Sequence, residues 1–176
     1  MKNANVFMAF ILLILLLYPI SIYSYNTSKK IDLSKEPVYI TDFSYTIIEN
    51  KGEEIYIEGD NLTKSQDQQV IEKLRGYYID NRNKRIDFKA DLVTNYKTEN
   101  KVELEKNILV AESNNYLETN KIIFNQKSNT IFGPENIKMV FDNSLIEGRD
   151  LVYDLSNRKI TLKKIRGKLW LSKLKF

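Results

Sequence analysis

One phrase recurs along this chain at a nearly constant interval. IEGDNL begins at Ile57, FKADLV at Phe88, LETNKIIFN at Leu117 and IEGRDLVYD at Ile146, in steps of 31, 29 and 29 residues. The last two strings match position by position: Leu117 with Ile146, Glu118 with Glu147, Ile122 with Leu151, Phe124 with Tyr153, and Asn125 with Asp154. A second shared element lies between and after them: KNILVAE from Lys106, ENIKMVF from Glu135 and KIRGKLW from Lys164. A fixed period near 29 means that one supersecondary unit is reused. Such units bury their apolar faces only by stacking on neighbours. The leucine-rich repeat has a similar length, but its L-x-x-L-x-L spacing is absent.

The local pattern within each unit is strand-like. Ile137, Met139 and Phe141 alternate with Lys138 and Val140, and Ile160 and Leu162 alternate with Lys159, Thr161 and Lys163. Period two puts one face in the core and the other in water. Turn residues punctuate the runs at Lys51-Gly52, Asn81-Arg82-Asn83, Gln126 to Asn129, Gly133-Pro134, Asp142-Asn143-Ser144 and Ser156-Asn157. The expected fold is therefore all-β, built from strands of about five or six residues in a sandwich, barrel or solenoid. Ser65 to Gly76 is ambiguous, because Val70, Ile71 and Leu74 also fit a helical turn. The acids Glu53, Glu54, Glu58 and Asp60 alternate with Ile55 and Ile57, which makes them a solvated strand face rather than a catalytic pair. On pattern alone the apolar interior is a closed core.

Before the repeats comes an apolar stretch. Val6 to Tyr23 holds eighteen residues without a charge. At helical rise it spans about 27 Å, close to the hydrocarbon thickness of a bilayer. A cleaved signal peptide needs small residues before the cut. The best site, after Ser24, has Ile22 three residues back. The expectation is an uncleaved anchor over 6–23, with 1–5 in the cytoplasm, a linker over 24–36 and one β domain over 37–176. Lys2 and the free amino group favour this orientation; Lys29 and Lys30 oppose it. Pro19 lies near the end of the stretch, where a proline kinks or ends a helix.

Composition excludes more than it suggests. The chain of 176 residues has no Cys and no His. That removes thiol nucleophiles, imidazole bases, disulfides and nearly all zinc chemistry. There is no phosphate-binding loop beyond the fragment Gly167-Lys168, and no G-x-S-x-G. No cofactor or metal is expected. A net charge of +4 is too mild to argue for nucleic acid. From Arg158 to Lys175 there are eight cations and no acid. Two explanations stand: a wet strand whose charges prevent self-pairing, or attraction to an anionic partner.

An uncleaved anchor followed by short β repeats resembles the LptC family of lipopolysaccharide-transport proteins. The motifs that carry the resemblance are NILVAESNNYLETNKIIFN and NTIFGPENIKMVFDNSLIEGRDLVYDLSNRKITLKKIRGKL, and it extends from the anchor to about Trp170. The resemblance implies an open, V-shaped β-jellyroll of the OstA-like type, made here of about four 29-residue repeats, with no enzymatic activity. It implies lipopolysaccharide as cargo, an inner-membrane ABC transporter as donor and the periplasmic bridge protein LptA as acceptor. It also makes Gly133, in TIFGPEN, a residue that matters for partner binding, although Pro134 follows it in this chain. By alternation the inner row holds Ile57, Phe88, Leu117, Phe124, Ile137, Met139, Phe141, Ile146 and Tyr153. The resemblance makes that row lipid-binding. Ile165, Gly167, Leu169 and Leu171 fall on one side of the last strand, the edge that the resemblance pairs with LptA. A membrane-anchored scaffold that binds only protein is the competing expectation. An extracellular carbohydrate-active solenoid fits less well, since it calls for exposed aromatics beside clustered acids.

Overall fold

The alternating runs join into strands about twice as long as expected. A computed structural model describes residues 37–48, 53–141 and 144–168; the expected anchor and linker, together with Leu169 and Leu171, lie outside the described residues. Ten strands form: β1 (Val38–Ile48), β2 (Glu54–Lys64), β3 (Gln68–Ile79), β4 (Arg85–Tyr96), β5 (Lys101–Glu112), β6 (Asn115–Asn125), β7 (Thr130–Gly133), β8 (Ile137–Phe141), β9 (Ser144–Asp154) and β10 (Lys159–Lys168). They make one antiparallel sheet in chain order. β7 and β8 lie end to end between β6 and β9 as a single strand, interrupted where Pro134 removes a backbone donor.

The long strands exceed their alternating runs because a crease crosses the sheet and interrupts the alternation within them. Lys73, Lys106, Asn107, Asp150 and Lys164 adopt positive φ in mid-strand. The register slips between Lys89 and Leu92, between Glu105 and Ile108, and between Thr161 and Arg166. A bulge adds a residue, bends the strand and reverses the alternation. Inward positions therefore step by three at the crease: Gly59 to Leu62, Ala90 to Val93, Thr119 to Ile122 and Gly148 to Leu151. These four steps occupy equivalent places in the four recurring strings. The repeated phrase is the crease, written once per hairpin. β3 obeys the same rule, stepping from Ile71 to Leu74. The helix-like spacing in Ser65 to Gly76 is a bulged strand, entered through a turn in which the Ser65 amide donates to the Gln68 carbonyl at 2.9 Å.

Register turns the repeat into geometry. Ile57, Gly76, Phe88, Val110, Leu117, Met139, Ile146 and Gly167 are successive cross-strand partners, so equivalent repeat positions share one row. In the row beside the crease, large residues pair with small ones: Phe43 with Gly59, Leu74 with Ala90, Ile108 with Thr119, Ile137 with Gly148. The two half-sheets converge at the crease, and the small residues make room. Gly59 lies against Ile71, and Gly148 against Leu162, in each case across the crease. Among the described residues no helix covers the inner face. Its central apolar side chains are nevertheless 0–7% exposed and form one cluster, against which the remaining inner residues are half-buried. A sheet face this dry, without a second layer, requires the sheet to fold over on itself. Each fully buried Ile or Leu in it contributes about 1.5–3 kcal/mol.

The outer face is wet and its charges are paired across strands. Lys73 meets Asp60 at 2.7 Å, Arg75 meets Glu58 at 3.1 Å and Lys121 meets Glu105 at 2.7 Å. Glu58 and Asp60 thus lie on a solvated face, as their alternation predicts. Exposed pairs of this kind each contribute at most about 1 kcal/mol. Asx turns close the hairpins. Asp80 accepts from the Arg82 and Lys84 amides at 2.8 and 2.9 Å, and Asp154 accepts from the Ser156 and Asn157 amides at 3.0 Å.

Candidate lipid-binding interior and its two free edges

The residues singled out from alternation converge on one interior. Ile57, Phe88, Leu117, Met139 and Ile146 share the cross-strand row described above. Ile137 sits beside the crease. Phe124 and Tyr153 lie in the other half-sheet, each paired with Ile131. Seven of the nine are buried; Phe141 and Ile146 are half-buried against the same cluster. In this structure they pack on one another. Alternation alone missed their partners across the crease, such as Leu62, Ile71, Ile122 and Leu151, because the step of three hides them. That step was the available signal.

Cover thins toward the ends of the sheet. Among the described residues β1 pairs only with β2, and its inner residues Phe43, Tyr45 and Ile47 are half-buried. At the other end β10 pairs only with β9. Leu162 is half-buried there, while Ile160 is 43% and Ile165 60% exposed. Among the described residues each end strand has one neighbour, so its outer row of backbone donors and acceptors is open to another strand. β10 runs unbroken from Lys159 to Lys168, bulged on the way and longer than the five or six residues expected of a strand here. Ile165 and Gly167 lie on it. Gly133 stands away from both edges, buried at the interruption between β7 and β8. A Cβ there would meet Ile137 Cδ1 at 2.8 Å and Ile122 Cδ1 at 3.3 Å, so Gly133 is a packing position.

The interior is not uniformly apolar. In the second half-sheet the row that runs through Val102, Phe124, Ile131 and Tyr153 begins at buried Gln69 and Asn95. In the first half-sheet the Tyr45 hydroxyl is buried with no hydrogen-bond partner among the described residues. Burial raises its pKa, so it remains a neutral hydroxyl. No group of His, Cys, Asp or Glu suited to a metal occurs among the described residues, and no helix among them is long and apolar enough to cross a membrane.

A creased antiparallel sheet with an apolar inner face and, among the described residues, a single neighbour for each end strand defines a module suited to apolar cargo or to strand-to-strand assembly. The chain belongs to the LptC family: the family's sequence model, described as lipopolysaccharide-assembly, LptC-related, matches residues 6–169. Membership makes it a component of lipopolysaccharide transport, in a family of transport components rather than enzymes. The chain is also similar to LptH of Pseudomonas aeruginosa, described as the LptA homologous periplasmic component of the conserved lipopolysaccharide transport device. Identity is 13% and the TM-score 0.39, over 63% of this chain and 98% of that one. Among curated proteins no sequence matches significantly.

Proposed function

We propose that this protein is a membrane-anchored lipid-transfer component that accepts lipopolysaccharide from the inner-membrane ABC transporter and passes it to LptA. The observation that carries this reading is the inner row, which runs across the strands to β10 while its cover thins at both ends. A lipid chain of about twelve carbons costs on the order of 10 kcal/mol to hold in water, at about 0.8 kcal/mol per CH₂. Cargo with several such chains needs a continuous apolar path. Docking a like module edge to edge on β10 would extend the row, and docking the transporter on β1 would supply its beginning. Residues 6–23 hold the domain at the inner membrane, with 1–5 in the cytoplasm and 37–176 in the periplasm. Ile57, Phe88, Leu117, Phe124, Ile137, Met139, Phe141, Ile146 and Tyr153 contact acyl chains once the half-sheets part. Ile165, Gly167, Leu169 and Leu171 belong to the LptA-facing edge.

One observation favours the scaffold reading: the same row is only 0–7% exposed over most of its length. A photocrosslinker decides between the two. Placed at Met139, it captures lipopolysaccharide under the transfer reading, whereas at outward-facing Lys138 it does not. Capture at neither position, in folded protein within an active export system, sinks the transfer reading and leaves the scaffold. For polarity, Leu169→Pro or deletion of 165–176 abolishes LptA retention while sparing the transporter. Retention of LptA with loss of the transporter reverses the assignment.

A further inference from the structure

Where the strands bend, the outer face of the sheet carries a groove of about 720 Å³. That is within the size range of small-molecule sites. Its charge is unusual for this surface. Lys89, Lys138, Arg149, Lys164 and Arg166 line it, against Glu118 and Glu147. The groove thus holds a net charge of +3, out of +4 for the whole chain. On β2 to β6 the outer cations sit largely in ion pairs. In the groove only Lys138 does, with Glu118 at 3.2 Å. The other four form no ion pair with an acid among the described residues.

The groove is a product of the register, not a chance meeting of mobile side chains. Lys89 is paired with Leu109, and Leu109, Glu118, Lys138, Glu147 and Arg166 follow as successive cross-strand partners. Residues almost eighty positions apart are thereby held in one row. Asn107, Asn120 and Asn136 lie alongside at the crease. The Asn107 amide is committed to Asp91 at 2.6 Å, but the amide nitrogens of Asn120 and Asn136 have no partner among the described residues. Cations gathered in a concavity repel one another and focus a positive potential, which an anion relieves. Arg recognises phosphate by paired donors, and free amides suit hydroxyls. A flat lipid surface is a poor match. The site is concave and holds no aromatic side chain to enter a bilayer.

We propose that this groove binds a phosphorylated saccharide, with the phosphate on Arg149, Lys164 and Arg166 and the sugar hydroxyls on Asn120 and Asn136. The groove's charged side chains belong to the wet outer face, while the inner-face residues Ile108, Thr119, Ile137 and Gly148 contribute its floor at the crease, so the inference concerns the outer charges and not what the apolar interior carries. The test is a titration of the full chain in detergent micelles at low salt, following the side-chain amides of Asn120 and Asn136 by NMR. Glucose 6-phosphate is expected to shift both amides saturably, glucose to leave them unmoved, and inorganic phosphate to bind at least fivefold more weakly. Arg149→Gln should weaken the sugar phosphate at least fivefold at an unchanged unfolding midpoint; Lys73→Gln, elsewhere on the outer face, should not. Equal binding of inorganic phosphate overturns the saccharide assignment. Absent shifts, an ineffective Arg149→Gln, or displacement of the sugar phosphate by phosphatidylglycerol mixed into the micelles overturns the site.

Discussion

Substituting Gly148 by Ala tests whether the crease packs as described. Gly148 is buried on β9 and its backbone lies outside the left-handed region, so alanine is conformationally acceptable there. The obstacle is steric. The new Cβ would lie 2.6 Å from Leu162 Cγ and Cδ2, and 3.0 Å from Cδ1. Carbon atoms prefer about 3.5–4.0 Å. Leu162 must leave its rotamer or β10 must shift. Overpacking of this size costs about 1–3 kcal/mol. At about 2–4 °C per kcal/mol for a chain of this length, the Tm falls by about 2–12 °C. Urea unfolding followed by circular dichroism should show a lower midpoint at unchanged slope. Leu162→Ala removes the obstacle, so the double variant should be more stable than additivity allows, by about 1–2 kcal/mol. Gly76→Ala is the contrasting case: its Cβ runs into the Tyr56 carbonyl oxygen, a backbone atom that cannot swing away, and should cost more. A neutral Gly148→Ala, or additive costs in the double variant, would refute the convergence of the half-sheets.

Three further outcomes follow from the same geometry. Tyr45→Phe removes a buried hydroxyl without a partner, and should raise stability by about 1 kcal/mol; a lower unfolding midpoint would show that the hydroxyl is satisfied. The Asp154 carboxyl is held below its usual pKa by the Asn157 side chain first, then by the Asn157 and Ser156 amides. A depressed carboxyl stabilises fully above its unfolded pKa and loses that effect as pH falls through the folded value. Exchange protection of the Ser156 and Asn157 amides should therefore decline below about pH 4, and Asp154→Ala should abolish that decline. N-terminal sequencing of the mature protein should find Val6 to Tyr23 still attached, whereas a chain beginning near Tyr25 would exclude the anchor.

The all-β class, the period and the inner row were legible in the residues alone. Alternation is a property of local backbone geometry, and a repeat places equivalent residues at equivalent heights in a meander. Ile57, Phe88, Leu117 and Ile146 could therefore be matched by position alone, and they share one row. Tertiary structure decided what no local pattern states. Gly59, Ala90, Thr119 and Gly148 were visible as small residues, but their meaning depends on a facing half-sheet that spacing does not supply. The same crease made Ile71 and Leu74 look helical and made each long strand look like two short ones. The exposure of Ile165 and the half-cover of Tyr45 are set by which strands end the sheet. The basic groove needs Lys89 and Arg166 in one row, which only the full register provides. Period is written residue by residue; closure, edges and grooves arise where distant stretches of the chain meet.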